Sequence, residues 1–236
     1  MAIAFRSETD GRATGTCSVT TFTVTAPAGA VSGDIFVLIV NLEQSCCGAP
    51  SNCSTPTGWT RHFFASGYTT NTSAALYTCK YASGTTGLTF TVTESLNPTT
   101  VNWSWGCSAY SGCDQTTWND ATPTSSTNAS STNLTAASIT TATANAMVLN
   151  LYAYNGTGTI TDAASTTQRI NRQNAAGSVY SAEELFAAAG ATGTRVATIV
   201  GAKVSRGYSV ALRPAASAGF NPGWAYGATK TIGGVF

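Results

Sequence analysis

Apolar residues in this 236-residue chain recur at every second position or in short unbroken runs, not at the 3.6-residue spacing of an amphipathic helix. SVTTFTVT (18–25) alternates, with Phe22 and Val24 set against Val19, Thr21 and Thr23. GDIFVLIVNL (33–42) is unbroken, as expected of a strand buried on both faces. GWTRHFFASG, SAALYTCKYASG, GLTFTVT and TVNWSWGCSAYSG follow as four further strands, separated by Gly or Asn-Pro turns. Two stretches read as long loops. Residues 43–56 are rich in Cys, Ser and Pro, and residues 112–133 are nearly free of large apolar side chains.

After residue 133 the pattern starts again. NAMVLNLYAYN (145–155) takes the place of GDIFVLIVNL, and TTQRINRQ, GSVYSAEELFAAAG, GTRVATIV and AKVSRGYSVALRP follow in order. SAALYTCKYASGTTGLTF and SVYSAEELFAAAGATGTRV share one pattern: a polar-aromatic strand, small residues, glycine, then an alternating strand. The chain therefore reads as all-β, a jelly-roll-like two-sheet sandwich over residues 18–215. It would be built from two interleaved strand runs, about 18–112 and 134–215, with 1–17 as a separate N-terminal segment. The expected core is Phe36, Leu38, Val40, Leu76, Phe90, Trp103, Trp105, Val148, Leu149, Val210 and Leu212. Two separate small domains are the alternative, against which no linker stands out from the other loops. SAEELFAAAG has the composition for one helical turn, but strand signals flank it.

Pro214 stops the last strand, and 216–236 reads as an extended C-terminal arm. GFNPGWAYGATKTIGGVF (219–236) carries Phe220, Trp224, Tyr226, Ile232 and Phe236 in a Gly-rich frame too irregular for a core element. Such a segment either straps its own sandwich or docks on a neighbouring subunit as an assembly arm.

Composition narrows the function classes. Charged residues make up 9% of the chain and the net charge is +1, with Lys and Arg scattered singly. That balance offers no footprint for nucleic acid or an anionic membrane, and no run of about 18 apolar residues marks a membrane span. The 41 threonines and 24 serines favour strands and clothe the surface in hydroxyls instead of charges. Seven cysteines are present: Cys17, Cys46, Cys47, Cys53, Cys79, Cys107 and Cys113. None stands in a CxxC pair, and His62 alone cannot complete a zinc set. Cys107 with Cys113, and Cys46 or Cys47 with Cys53, are spaced as loop-closing disulfides, and an odd count leaves one thiol free or open to a cross-link between chains. The competing reading is that several are buried small hydrophobes. The N-terminus MAIAFRSETDGR lacks a basic region followed by an apolar run, so no export signal is read. An oxidised chain without a signal suits synthesis in a bacterial cytoplasm and release by lysis; a mature form with its signal removed is the alternative.

Chemistry finds few footholds. A Ser-His-Asp triad would need His62, the only histidine, and no GxSxG elbow accompanies it. Glu43, Glu94, Asp114, Asp120 and Glu183 are candidate paired carboxylates by elimination only. No Gly-rich phosphate loop is present. Asp114 and Asp120 flank Trp118 in a loop with the ingredients of a weak Ca²⁺ site, although a solvated loop explains them as well. Trp59, Trp103, Trp105, Trp118 and Trp224 raise a rival function, sugar stacking. Trp103 and Trp105 share a strand face and are read as core, leaving Trp118 and Trp224 as possible glycan contacts. Six Asn-x-Ser/Thr sequons, Asn71 and Asn155 among them, are expected from this much Ser and Thr. No metal and no cofactor is implied.

The order GxVSGD with its apolar run, GW, a polar-aromatic strand and AYSG, then a second half ending SVALRPA, resembles β-sandwich virion surface proteins of phages and prophages. The matching positions are Gly33, Asp34, Gly58, Trp59, Ala109, Tyr110, Ser111, Gly112 and 209–215, and the resemblance spans about 18–215. It implies a capsid decoration, head-fibre or tail-associated subunit that is not an enzyme. Such a protein would act on the particle surface by contact with copies of itself, in a closed oligomer such as a trimer, and with other virion proteins such as a major capsid protein. A carbohydrate-binding or adhesive surface module is the alternative.

Overall fold

The computed structural model describes residues 2–16, 21–44, 48–82, 88–93 and 100–216. Among the described residues, sixteen strands fall into two sets of eight. The first is β1 (Ala4–Thr16), β2 (Thr21–Val24), β3 (Ile35–Gln44), β4 (Asn52–Cys53), β5 (Trp59–Ala65), β6 (Thr72–Lys80), β7 (Leu88–Thr93) and β8 (Thr100–Ser111). The second is β9 (Thr124–Ala136), β10 (Thr140–Thr141), β11 (Ala146–Asn155), β12 (Ile160–Thr161), β13 (Thr167–Arg172), β14 (Gly177–Phe186), β15 (Gly190–Ala191) and β16 (Arg195–Leu212).

The sets repeat one topology. The first large sheet runs β1-β8-β3-β6-β5. In the second, β9 pairs β16 and the order continues β11-β14-β13, which is the same sequence with eight added to every number. The small sheet β2-β7-β4 has its counterpart in β10-β15, while β12 pairs β16 instead. Gly33 (φ 96°) and Asn145 (φ 60°) occupy matching left-handed turns just before β3 and β11. All the ladders are antiparallel and each joins strands of one set. The runs are therefore not interleaved, as the sequence suggested; each builds its own large sheet, and the two sheets pack face to face.

Hydrophobic patterning follows these layers. β3 is unbroken because both its faces are covered. Phe36, Leu38, Val40 and Leu42 join a core under the small sheet with Phe22, Val24, Phe90 and Val92. Ile35, Val37 and Ile39 point the other way, into the seam between the large sheets, against Met147, Leu149, Leu151, Val179, Val210 and Leu212. β2 alternates because its second face is wet. Every expected core residue is buried, but in three clusters instead of one: Val148 packs with Ile139 and Ala211 on the outer side of the second sheet. Burial of each large side chain contributes on the order of 1.5–3 kcal/mol.

Three sequence readings are corrected. Residues 4–16 are no detached segment; β1 pairs β8 along its whole length. Much of the loop expected at 112–133 is β9, a strand whose residues are mostly Ser, Thr and Asn and only partly covered, so no alternation marks it. SAEELFAAAG forms no helical turn, since β14 continues through Phe186.

β16 is long enough to serve two layers. Its ladder with β9 slips between Thr198 and Ser205. Beyond the slip the ribbon lies over the outer face of the second sheet, where Leu134, Ala136, Ala197 and Ile199 cover Tyr152, Tyr154 and Tyr180. Gly207 permits this: a Cβ there would collide with the backbone carbonyl of Thr135. Gly106 plays the corresponding part in the seam, where a Cβ would stand 2.5 Å from Ile170 Cγ2. Gly106→Ala is expected to cost about 1–3 kcal/mol in urea unfolding, partly recovered by adding Ile170→Val. Gly207→Ala should cost more, because a backbone carbonyl yields less than a side chain. Equal effects of the two glycine changes would contradict the layering.

Candidate functional site

The seam carries polar groups as well as apolar ones. Asn41, 1% exposed, donates from Nδ2 to the carbonyls of Tyr154 and Ser178, both at 3.0 Å, while its Oδ1 accepts from the Tyr68 hydroxyl at 3.0 Å. Ser104 Oγ donates to the Gly177 carbonyl at 2.6 Å. Farther along the seam the Tyr110 hydroxyl and Arg169 both donate to Glu183, each at 2.6 Å. The Arg169 guanidinium also lies 4.1 Å from the Phe5 ring centre, and Arg172 pairs with Asp10. Every one of these contacts except the Tyr68–Asn41 bond and the Arg169–Glu183 pair joins one strand set to the other. Burial, then the neighbouring Glu183 carboxylate, pushes the Tyr110 phenol well up, which keeps it a neutral donor.

The remaining ion pairs hold ends and edges: Arg6 with Asp34, Arg195 with Glu184, and Arg213 with Asp120. Asp120 also accepts from the backbone N–H groups of Ala142 and Thr143 and from the Thr143 hydroxyl. Each carboxylate is buried while its arginine stays 21–32% exposed, so removing one partner costs less than the roughly 3–5 kcal/mol of a fully buried pair. Sequence reading missed these partners because they lie up to 162 positions apart. The visible signal was Glu183-Glu184 inside an otherwise apolar strand. Adjacent strand residues face opposite ways, and each of these two meets its own arginine.

The described cysteines are buried. Cys53, Cys79, Cys107 and Cys113 are free thiols. Cys107 belongs to the core under the small sheet and Cys113 to the seam core, on opposite faces of the first large sheet, so the expected 107–113 bridge is not formed. Burial pushes the thiols up, to about 11 for Cys53 and about 12 for Cys79 and Cys113. Cys17, Cys46 and Cys47 lie outside the described residues, as do Phe220, Trp224, Tyr226, Ile232, Phe236 and Glu94.

The other candidates are not brought together. His62 Nε2 contacts the Thr78 hydroxyl at 2.8 Å, and Trp118 Nε1 donates to the same oxygen at 3.3 Å. The half-buried Trp118 ring packs against the seam core and lines a shallow pocket with Thr116, Thr117 and Asn119. Trp59, Trp103 and Trp105 are buried. Asp114 Oδ1 caps the N–H groups of Thr116 and Thr117, and these bonds hold its carboxyl down to about 2. Asp114 and Asp120 thus serve different backbones instead of converging on a Ca²⁺ site. Glu43 accepts from Asn102 at 2.8 Å. Among the described residues no group of three His, Cys, Asp or Glu side chains converges as a metal site.

One open cavity of about 600 Å³ lies where β16 ends. Ala2, Asp114, Thr143, Ala144, Asn145, Arg213, Pro214, Ala215 and Ala216 line it. The chain matches no protein-family model, no curated protein and no solved structure.

Two solution tests follow. At pH 8 a thiol reagent should leave Cys53, Cys79, Cys107 and Cys113 unmodified in the folded protein and label all four in urea; rapid labelling of any of them when folded would contradict their burial. Their folded pKa values lie above the unfolded value of about 8.5. Their contribution to stability is therefore whole below that pH, and that of Cys53, Cys79 and Cys113 is lost as pH rises through 11–12. His62 works in the opposite sense: burial lowers its pKa, so its contribution is present above about 6.5 and lost as pH falls. His62→Gln should flatten the acid limb of a thermal-melt pH series, and an unchanged limb would contradict this assignment.

Proposed function

We propose that this chain is a structural subunit of a virion, a decoration protein on the outside of a phage capsid that works by contact and not by catalysis. The observation that carries this reading is the doubled sandwich. Two eight-strand sets are locked through a buried seam, and the described arginine–carboxylate pairs tie strands and turns together within that body. Such a body suits a part that must keep its shape on a particle surface. Buried free thiols remove Cys53, Cys79, Cys107 and Cys113 from any cross-link, so the disulfide part of the proposal rests on Cys17, Cys46 and Cys47. The partners are copies of the same chain and a shell protein, and the proposed location is the particle surface after synthesis in a host cytoplasm.

Sedimentation of particles from the native source provides the test. The protein should pellet with intact particles in a fixed copy number and leave them in denaturant. A protein found only in the soluble fraction of the lysate would contradict the reading, and specific glycan binding by that fraction would favour a surface-binding module.

A further inference from the structure

We propose that the cavity at the end of β16 receives the aromatic segment 219–236 of a second copy of this chain, with one aromatic ring seated on Arg213. This rests on the assembly reading above and names the surface it would use. The cavity, about 600 Å³, is walled by Ala2, Ala144, Pro214 and Ala215, small side chains that leave room for a bulky one. Its volume falls within the roughly 300–1,000 Å³ of ordinary ligand pockets. Arg213 is anchored at Nε by Asp120, 3.2 Å away, while its side chain stays 31% exposed. A guanidinium held in this way offers a plane for ring stacking. Asp114 supplies the opposite charge, and its Oδ1 is already fixed by backbone N–H groups.

The segment complements this lining. It holds Phe220, Trp224, Tyr226, Ile232 and Phe236 among glycines, and its single charge is Lys230, opposite in sign to Asp114. An exposed apolar residue marks the same end of the sheet. Leu185, 54% exposed, stands in register with Met147, whose other neighbour is Leu212, next to Arg213 in sequence. Ala216, the last described residue, is itself part of the wall, and the aromatic residues of the segment begin at Phe220. A neighbour's segment would enter from the open side. An exchange of arms in one sense around a ring also closes a cyclic oligomer.

The experiment compares the full chain with Ala144→Trp, which fills the cavity from an exposed turn position, and with Trp224→Ala. Mass is followed by light scattering across a concentration series, and a synthetic peptide of residues 217–236 serves as competitor. The wild type should associate. Each variant should weaken association by about tenfold or more with an unchanged thermal melt, and excess peptide should dissolve the oligomer. If the wild type associates but neither Ala144→Trp nor the peptide alters it, the cavity is not the receptor, although the assembly reading survives. If the wild type is monomeric and Ala144→Trp exposes Trp224 to a quencher, the segment docks on its own chain and the second-copy occupant is wrong. If the wild type is monomeric and Ala144→Trp changes nothing, this proposal fails, and with it the self-association part of the assembly reading.

Discussion

The rest of the structure depends on the burial of two large antiparallel sheets against each other. A sheet covered on one face alternates; a sheet covered on both faces cannot. β3 and β11 are apolar on both faces because each lies between the seam and an outer layer. Neither set could leave that seam face in water without exposing Ile35, Val37 and Ile39, or Met147, Leu149 and Leu151. The seam therefore makes one body from two topologically equivalent halves, and the ion pairs, glycines and buried Asn41 fit around that requirement.

Equivalent positions are filled by different means. In the first set, Trp105 lies over Gly11 of the neighbouring β1, and a Cβ on Gly11 would stand 2.5 Å from the indole. In the second set, the outer cover comes from backbone: the folded ribbon of β9 and β16 lays the Thr135 carbonyl over Gly207. One topology thus tolerates an aromatic side chain or a doubled strand as the cover of its outer face. What remains constant is the large sheet and its inward apolar stripe.

How much of this was legible depended on which physical signal each element carries. The all-β class, the presence of a second strand run and the buried status of the core residues followed from period-two patterning, which burial imposes directly; the second run starts at Thr124, not after residue 133. β9 was hidden because a strand lying on the surface and held by backbone pairing needs no apolar alternation, and TSSTNASSTNLTA has almost none. Interleaving was expected because patterning reports which faces are buried, not what buries them; face-to-face packing of whole sheets satisfies the same pattern. Six-residue cysteine spacing suggested a loop closure, but strand parity and the turn at Gly112 send Cys107 and Cys113 to opposite faces. The cavity beside Arg213 combines Ala2, Asp114 after β8, the turn before β11 and the residues that follow β16, a juxtaposition no local pattern encodes.

Hydrogen exchange read by mass spectrometry over a urea series tests the central claim most directly, because it follows β3 and β11 separately in one sample. If the seam joins both sets into a single cooperative body, amides of the two strands lose protection at the same urea concentration. Loss of protection in one set while the other stays closed would show two independent units in contact, and would contradict the account.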